Sequence, residues 1–510
     1  VENRPDPLLV VGAGPAGSAA ARLLSAWGHR VVLVHRAGGE AGRLAESIPP
    51  SAQKLLAAIG ALPAIEDAGF IRWHGNTVWW AGDSPRVETF APGTAGYQVQ
   101  RRALDERLRA LAVESGAALR QGLVRNPVIA GLDSDLAEAP DPTSRPSATL
   151  DVDGESTVVR AAFILDCSGR AGVLARRGLR VADDTLRTIA LAGVWRSDAG
   201  WPLTDDSHTL VASYEDGWAW SVPTEPGVRY FTVMIDPERT GLTRGAPSRE
   251  IYLAELAKVH PFAPVLTYGS LIEGPWGADA STYHARRYAG PGYLLVGDAA
   301  SSIDPLSSFG VKKALASGWL AAIAVHTAMT RPEMADEALA FFDRRERALH
   351  ASARRQAVRF AADVAVRTAH PFWSSRAEVS DGAEGEDGPD PSVLARDPSV
   401  VAAFDDLRRR PAIRLSVSDA ARVAPRAAVR GHEIVLDDHL FLPAWPEGIR
   451  YLRGVDLVQL LKLAPAHRDV GDLYRAVTQA GPPVILPDFL GALSALIAAG
   501  ALVHDSARAG

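Results

Sequence analysis

Residues 8–11, Leu-Leu-Val-Val, form a short apolar run that ends in glycine; residues 18–27 are rich in alanine and leucine, and residues 31–34 return to β-branched and apolar side chains. That succession predicts strand, helix, strand. A helix is expected over residues 50–60, where Leu55, Leu56 and Ile59 share a face, and another over 101–112, where Leu104, Leu108 and Leu111 oppose a charged side. Residues 133–147 are rich in Asp, Pro and Ser and read as a surface loop between strands. From residue 209 to 235, aromatic and β-branched runs cut by turn residues predict an antiparallel sheet, suited to cover a substrate. A buried strand follows at 293–296, then an alanine-rich helix over 311–329 and a second from Met334 towards Val366. The acidic, Gly- and Pro-bearing residues 378–398 suit an exposed linker. Beyond it lies a separate unit with apolar runs at 433–442 and 449–463.

Composition narrows the class. A chain of 510 residues exceeds one ordinary core, so two or three domains are expected. Hydrophobic residues at 47% and charged residues at 22% are those of a globular protein, and no apolar run reaches the roughly 20 residues that span a bilayer. A formal charge of -6 gives no general attraction for nucleic acid or anionic lipid. Arg408, Arg409 and Arg410 make only a short basic cluster. With Cys167 as the one cysteine, neither an internal disulfide nor a cysteine metal cluster can form, and no metal site is expected. Residues 1–7 lack the tripartite pattern of a secretory signal, so a cytoplasmic location is expected.

The chemistry is carried by three turns. Gly12-Ala13-Gly14-Pro15-Ala16-Gly17 is a G-x-G-x-x-G between the first strand and the first helix. Gly12 permits the tight turn, Gly14 lets the backbone approach a pyrophosphate and Gly17 allows close packing of helix on strand, while the helix start offers N–H groups to phosphate. About 20 residues on, where an acidic residue normally meets the ribose hydroxyls, the chain has His35 followed by Arg36. His35 is either a ribose partner through a ring nitrogen or an ordinary strand-end histidine. The second turn is Ile164-Leu165-Asp166-Cys167-Ser168-Gly169-Arg170, and the third is Gly292 to Ala300, in which a buried strand delivers Gly297 and Asp298 to a helix start.

In order and spacing these turns resemble the FAD-binding fold of the para-hydroxybenzoate-hydroxylase-like flavoproteins, over most of residues 8 to 370. The resemblance implies an α/β fold: a Rossmann-like, glutathione-reductase-like FAD-binding domain (1–185 and 281–376, with 60–100 on the substrate side), an antiparallel β substrate domain (186–280), a linker (377–398) and a small C-terminal α/β domain (399–510), winged-helix-like in outline. It implies FAD as cofactor. The cofactor contacts it suggests are Gly12, Gly14, Pro15, Ala16, Gly17, His35, Arg36, Ser47, Arg101, Gly297, Asp298, Gly310 and Val311. By residue type alone, Arg101 reads as a solvated helix charge.

Glu46-Ser47-Ile48-Pro49-Pro50-Ser51, Trp218-Ala219-Trp220-Ser221-Val222-Pro223 and Asp304-Pro305-Leu306-Ser307-Ser308-Phe309-Gly310-Val311 resemble the tryptophan halogenase branch. That branch carries a lysine that accepts hypohalous acid. Here residues 70–80 hold Arg72, Trp73, His74 and Asn76 but no lysine, and Lys54 lies too early. Gly75-Asn76, residues 310–318 and His370-Pro371-Phe372-Trp373 are similar to the peptidyl tryptophan dihydroxylases that serve tryptophylquinone maturation. The leading expectation is therefore hydroxylation of a tryptophan in a protein substrate, through a flavin C4a-hydroperoxide formed with molecular oxygen during cysteine tryptophylquinone biogenesis. The alternatives are a halogenase or hydroxylase of a small or carrier-bound aromatic, and a flavin-binding protein without turnover. Electrons would come from NAD(P)H or a separate flavin reductase, since no second G-x-G-x-x-G is present. Asp304, Pro305 and Ser307 are expected to shape the catalytic wall, with His74 as a base or merely a packing residue. Trp73, Trp218 and Trp220 either line the substrate pocket or pack the core.

Overall fold

The computed structural model describes residues 6–36, 44–129, 132, 145–182, 186–242, 248–307, 309–378, 396–409 and 412–504. Most of the expected loop at 133–147, the linker at 379–395, Ser308, Arg410 and the side chain of Ser307 lie outside them. The chain divides into two units, Val1–Ala383 and Glu384–Gly510.

In the first unit, Leu8–Val11, Pro15–Ala26 and Val31–His35 form the expected strand, helix, strand. Their strands belong to a six-stranded sheet in the order 289–290, 293–295, 163–166, 8–11, 31–35, 118–121, parallel except at its first edge. Leu8–Val11 is buried along its whole length, as a central parallel strand covered on both faces must be. Its carboxyl end faces the turns after Val31–His35 and Phe163–Asp166, which is where open α/β sheets hold ligands.

A seven-stranded sheet runs in the order 270–279, 189–196, 228–235, 217–225, 209–214, 75–79, 86–89, antiparallel except where Thr209–Tyr214 lies along Gly75–Trp79. The alternation of its central strands sorts side chains to two faces. Ala219, Phe231, Val233 and Ile235 pack with Tyr252, Leu256 and Phe262 of the short helices on one side. Trp218 and Met234 point to the other, where they meet Ala361 and Val364 of the long helix Ala335–Ala365 and Phe372 and Trp373 of Pro371–Ala377. The expected helix over 50–60 is a short 3-10 turn, Pro50–Ala52, followed by Gln53–Ile59. Prolines at 49 and 50, which lack N–H donors, explain the late start of the α ladder. A small sheet of Ala45–Ile48, Gly96–Gln100 and Ile71–Trp73 connects this region to the rest.

The second unit contains a β-meander, Arg422–Arg430, Glu433–Leu442 and Trp445–Ile449, with helices Pro398–Arg409, Leu457–Leu463, Val470–Ala480 and Leu486–Ala498 around its own core. The apolar run at 449–463 thus breaks into two short strands and a helix capped by Asp456, whose carboxylate accepts from the Gln459 N–H. Among the described residues no helix is long and apolar enough to cross a membrane.

Candidate functional site

The G-x-G-x-x-G turn is built as its residues demand. Gly12 sits at φ 106°, and a Cβ there would overlap the Cys167 carbonyl; one on Gly17 would overlap the Gly12 carbonyl oxygen. Gly14 has nothing within 4 Å of the place its Cβ would take. The open side of the turn is thus at the glycine that heads the helix, with Pro15 at the first helical position and no side chain capping the helix start. These residues fit a dinucleotide pyrophosphate: a cradle a Cβ would fill, facing an uncapped helix N-terminus. Ser18 steadies the turn by donating to the Ala13 carbonyl at 3.1 Å.

Asp166 ends its strand fully buried and accepts from the Ser168 N–H and hydroxyl (3.1 and 2.5 Å), the Leu174 N–H (2.7 Å) and the Ala175 N–H (3.2 Å). Its work is to hold the turn that closes over Gly12. His35 stands at the end of its strand, 3.3 Å from the Arg109 guanidinium, and burial followed by that cation lowers its pKa. Arg36 is exposed.

Arg101 is not a solvated helix charge. Its side chain is 16% exposed and pairs with Glu46 at 3.2 Å and Asp105 at 3.5 Å. Burial acts to lower its pKa, but Asp105, Glu46 and Asp298 together raise it, so the three carboxylates surround one guanidinium. Burial raises the pKa of Glu46 against the pull of Arg101. Ser47, beside it, is buried and donates to Gln98 at 2.6 Å.

The third turn is held from behind by Lys313, whose ammonium is 1% exposed and donates to the Gly297 carbonyl (3.2 Å), Asp298 Oδ1 (3.1 Å) and the Ser301 carbonyl. The Ser317 hydroxyl accepts from the Gly297 N–H at 2.8 Å. Glu346, 2% exposed, lies behind them, and burial raises its pKa to about 7 against the pull of Lys313 and Ser317. Asp298 itself remains 44% exposed, free to face a ligand. Gly310 and Val311 begin the helix Gly310–Thr330, and Lys312 reaches Ser51 at 2.9 Å.

A cavity of about 380 Å³ opens beside Ser302, Ile303, Asp304 and Leu306. Its walls include Trp218 from the sheet, Trp373 from Pro371–Ala377, Tyr283 and His284, and the face of the long helix that carries His350, Arg354, Ala357, Val358 and Ala361. Trp373 is 1% exposed, donates its indole N–H to the Tyr214 carbonyl at 2.9 Å and meets Trp80 edge-on at 5.5 Å. Burial raises the pKa of Asp304, opposed by the Leu306 N–H and Arg376.

Of the residues singled out from sequence, Asp304 and Trp218 come together on this cavity. Trp220 stacks on Trp218 with centroids 5.0 Å apart but is not on the wall. Trp73 is buried elsewhere, donating to the Gly75 carbonyl and packing on Phe90. His74 is exposed between two strands and does not reach the cavity, because its short turn sends its side chain to solvent. Pro305 lies in the turn between Asp304 and Leu306. Sequence reading did not single out Tyr283, His284, His350, Arg354 or Arg376. The signal for two of them was present: His350, Arg354, Ala357 and Ala361 recur at the three- and four-residue steps of one helix face. Among the described residues no group of three or more His, Cys, Asp or Glu is placed to hold a metal ion.

Comparison with known proteins gives the family and the fold. The FAD binding domain family matches residues 6–319. A tryptophan 2-halogenase of Chondromyces crocatus is 31% identical over 326 residues, covering 62% of this chain and 60% of that protein, so the match spans less than two thirds of that relative. Among solved structures, CmlS, a flavin-dependent halogenase, has a TM-score of 0.76 at 21% identity, over 99% of this chain and 98% of that one. The peptidyl tryptophan dihydroxylase QhpG has a TM-score of 0.66 at 24% identity, over 94% and 96%. These two likenesses establish a shared fold.

Proposed function

The chain belongs to the FAD binding domain family, its cofactor is FAD, and as an FAD-dependent oxidoreductase of the monooxygenase and halogenase kind it acts, we propose, on a small aromatic substrate that it hydroxylates or halogenates. The observation that carries this reading is the cavity of about 380 Å³ in which Trp218 and Trp373 meet Asp304 and Leu306, a few residues after the Gly297–Asp298 turn. Curated relatives named as halogenases support it over modification of a protein, which was the leading expectation from sequence.

In this reading the N–H groups of Gly14, Ala16 and Gly17 would hold the pyrophosphate, Asp298 would accept from a ribityl hydroxyl with Arg101 beside it, and the start of Gly310–Thr330 would offer N–H groups to the ring system. FAD, when bound and reduced, supplies from molecular oxygen the oxidising power that aromatic rings require. The rest falls to the chain. Trp218 and Trp373 offer flat apolar surfaces that orient an aromatic ring and exclude water from it. Asp304 stands at the edge of the cavity, where burial raises its pKa and its carboxyl accepts from the Leu306 N–H at 3.0 Å, a polar group fixed beside the ring. Electrons come from NAD(P)H docking transiently or from a separate flavin reductase.

The strands Ile71–Trp73 and Gly75–Trp79 carry no lysine, and this favours oxygen insertion over halogen transfer. It also sustains a second reading, hydroxylation of a tryptophan in a protein substrate. Reduced, FAD-loaded protein should be given oxygen and either free indoles or a tryptophan-containing peptide, with and without bromide, and the products weighed. An oxygen or bromine added to a free indole supports the proposal; modification of the peptide alone moves the assignment to the second reading.

A further inference from the structure

We propose that the cavity selects an aromatic substrate bearing an anionic group, a carboxylate, with its ring against the wall formed by Trp218 and Trp373 and its charge at His284, His350 and Arg354. This rests on the small-aromatic reading above and names the substrate class within it.

The long helix Ala335–Ala365 sets the two ends apart. Its cavity face passes from His350 and Arg354 to Ala357, Val358 and Ala361. Ala361 belongs to the cluster with Trp218, Phe372 and Trp373, against which Leu306 also packs. Arg354 and Ala361 are therefore about 10 Å apart along the axis at 1.5 Å per residue. One end is apolar and aromatic, the other basic, at a separation that a bicyclic ring with a short acid arm bridges.

The charges do not cancel within the wall. Asp304 is the one acidic residue among the described residues lining the cavity, and its charge is matched by Arg376. Arg376 is already engaged: it donates to the Phe372 carbonyl (2.9 Å), the Arg187 carbonyl (3.2 Å) and the Thr188 hydroxyl (2.8 Å), and lies over the Phe372 ring at 3.8 Å. At the other end the His284 and His350 rings are 5.1 Å apart with Arg354 beside them, and no described carboxylate lines that end. Glu346, one turn before His350, lies with Lys313 behind the wall. Burial, then His284, Lys313 and Arg354, lowers the His350 pKa to about 3. A carboxylate placed there accepts a charge-assisted hydrogen bond from Arg354 and a further hydrogen bond from an imidazole N–H.

The test compares two probes of almost equal shape, indole-3-acetate and neutral indole-3-acetamide, titrated into the FAD-loaded full chain by calorimetry and by the change in flavin absorbance. The acid should bind about tenfold or more tightly than the amide, as loss of a charge-assisted contact implies. Arg354→Gln should remove that advantage with amide affinity and FAD content intact, and Arg354→Lys should restore part of it. Equal binding of the two probes, or a preference that survives Arg354→Gln, overturns the inference and leaves the small-aromatic reading standing. If neither probe nor indole binds while FAD is held, both fall together.

Discussion

Replacing Lys313 with methionine tests how the Gly297–Ser301 turn is held. The ammonium is 1% exposed and serves two carbonyls and the Asp298 carboxylate, with Glu346 close behind. Removing one member of a buried, hydrogen-bonded charge group costs about 3–5 kcal/mol, because the partners are left desolvated and unpaired. Unfolding the first unit of 383 residues carries an entropy of about 0.8 kcal/mol/K at roughly 2.1 cal/mol/K per residue. A loss of about 4 kcal/mol then lowers its melting temperature by about 5 °C. Because the carbonyls freed belong to the turn that carries Asp298, FAD affinity should fall as well. Melting followed by flavin release and by tryptophan fluorescence, together with FAD titration of the stripped protein, measures both effects. Lys313→Met melting within 1 °C of the wild type, with unaltered FAD affinity, would refute the claim that this ammonium organises the turn.

Other consequences can be checked alongside. Glu346 holds its proton to about pH 7 in the folded chain, against an ordinary value of 4.5, so the folded state binds more protons between them and wild-type stability falls as pH rises through that window. Glu346→Gln does not titrate, so its melting temperature should gain on the wild type from about pH 4.5 to about pH 7 and then hold level; a constant difference contradicts the assignment. Gly17→Ala forces its Cβ into the Gly12 carbonyl, and at an overpacking cost of about 1–3 kcal/mol the purified protein should retain much less FAD per chain, read from the absorbance ratio after gel filtration. His74→Ala should leave product formation within about twofold and FAD bound, since an exposed imidazole off the cavity contributes little beyond ±0.5 kcal/mol; a large loss of turnover would return His74 to the site.

What could be read in advance was what short stretches encode. The strand, helix, strand of residues 8–35 announces itself through apolar periodicity and glycines at fixed offsets, both local signals, and Trp218 and Trp220 declared a common face by alternation. The neighbours of Leu8–Val11 in the sheet did not, because Phe163–Asp166 arrives from more than 150 residues away and nothing local specifies the pairing. The basic end of the cavity was missed for a related reason. On residues 335–365 the periodicity reveals a helix, but whether His350 and Arg354 face solvent or a cavity depends on His284 and Trp218, carried by distant strands. Arg101 misled by residue type, since its burial depends on Glu46 and Asp298 meeting it in space. His74 was placed by its distance along the chain from the Glu46-Ser47 motif, whereas a two-strand turn decides where its ring points.

The most direct trial of the whole account is product mass from reduced, FAD-loaded protein supplied with oxygen and free indole-3-acetate. The account predicts an aromatic product heavier by one oxygen, or by a halogen when halide is present, and its loss when Trp218 or Trp373 is replaced by alanine in a variant that still holds FAD. Rapid flavin reoxidation with every aromatic recovered unchanged, across free indoles and tryptophan peptides alike, would contradict it.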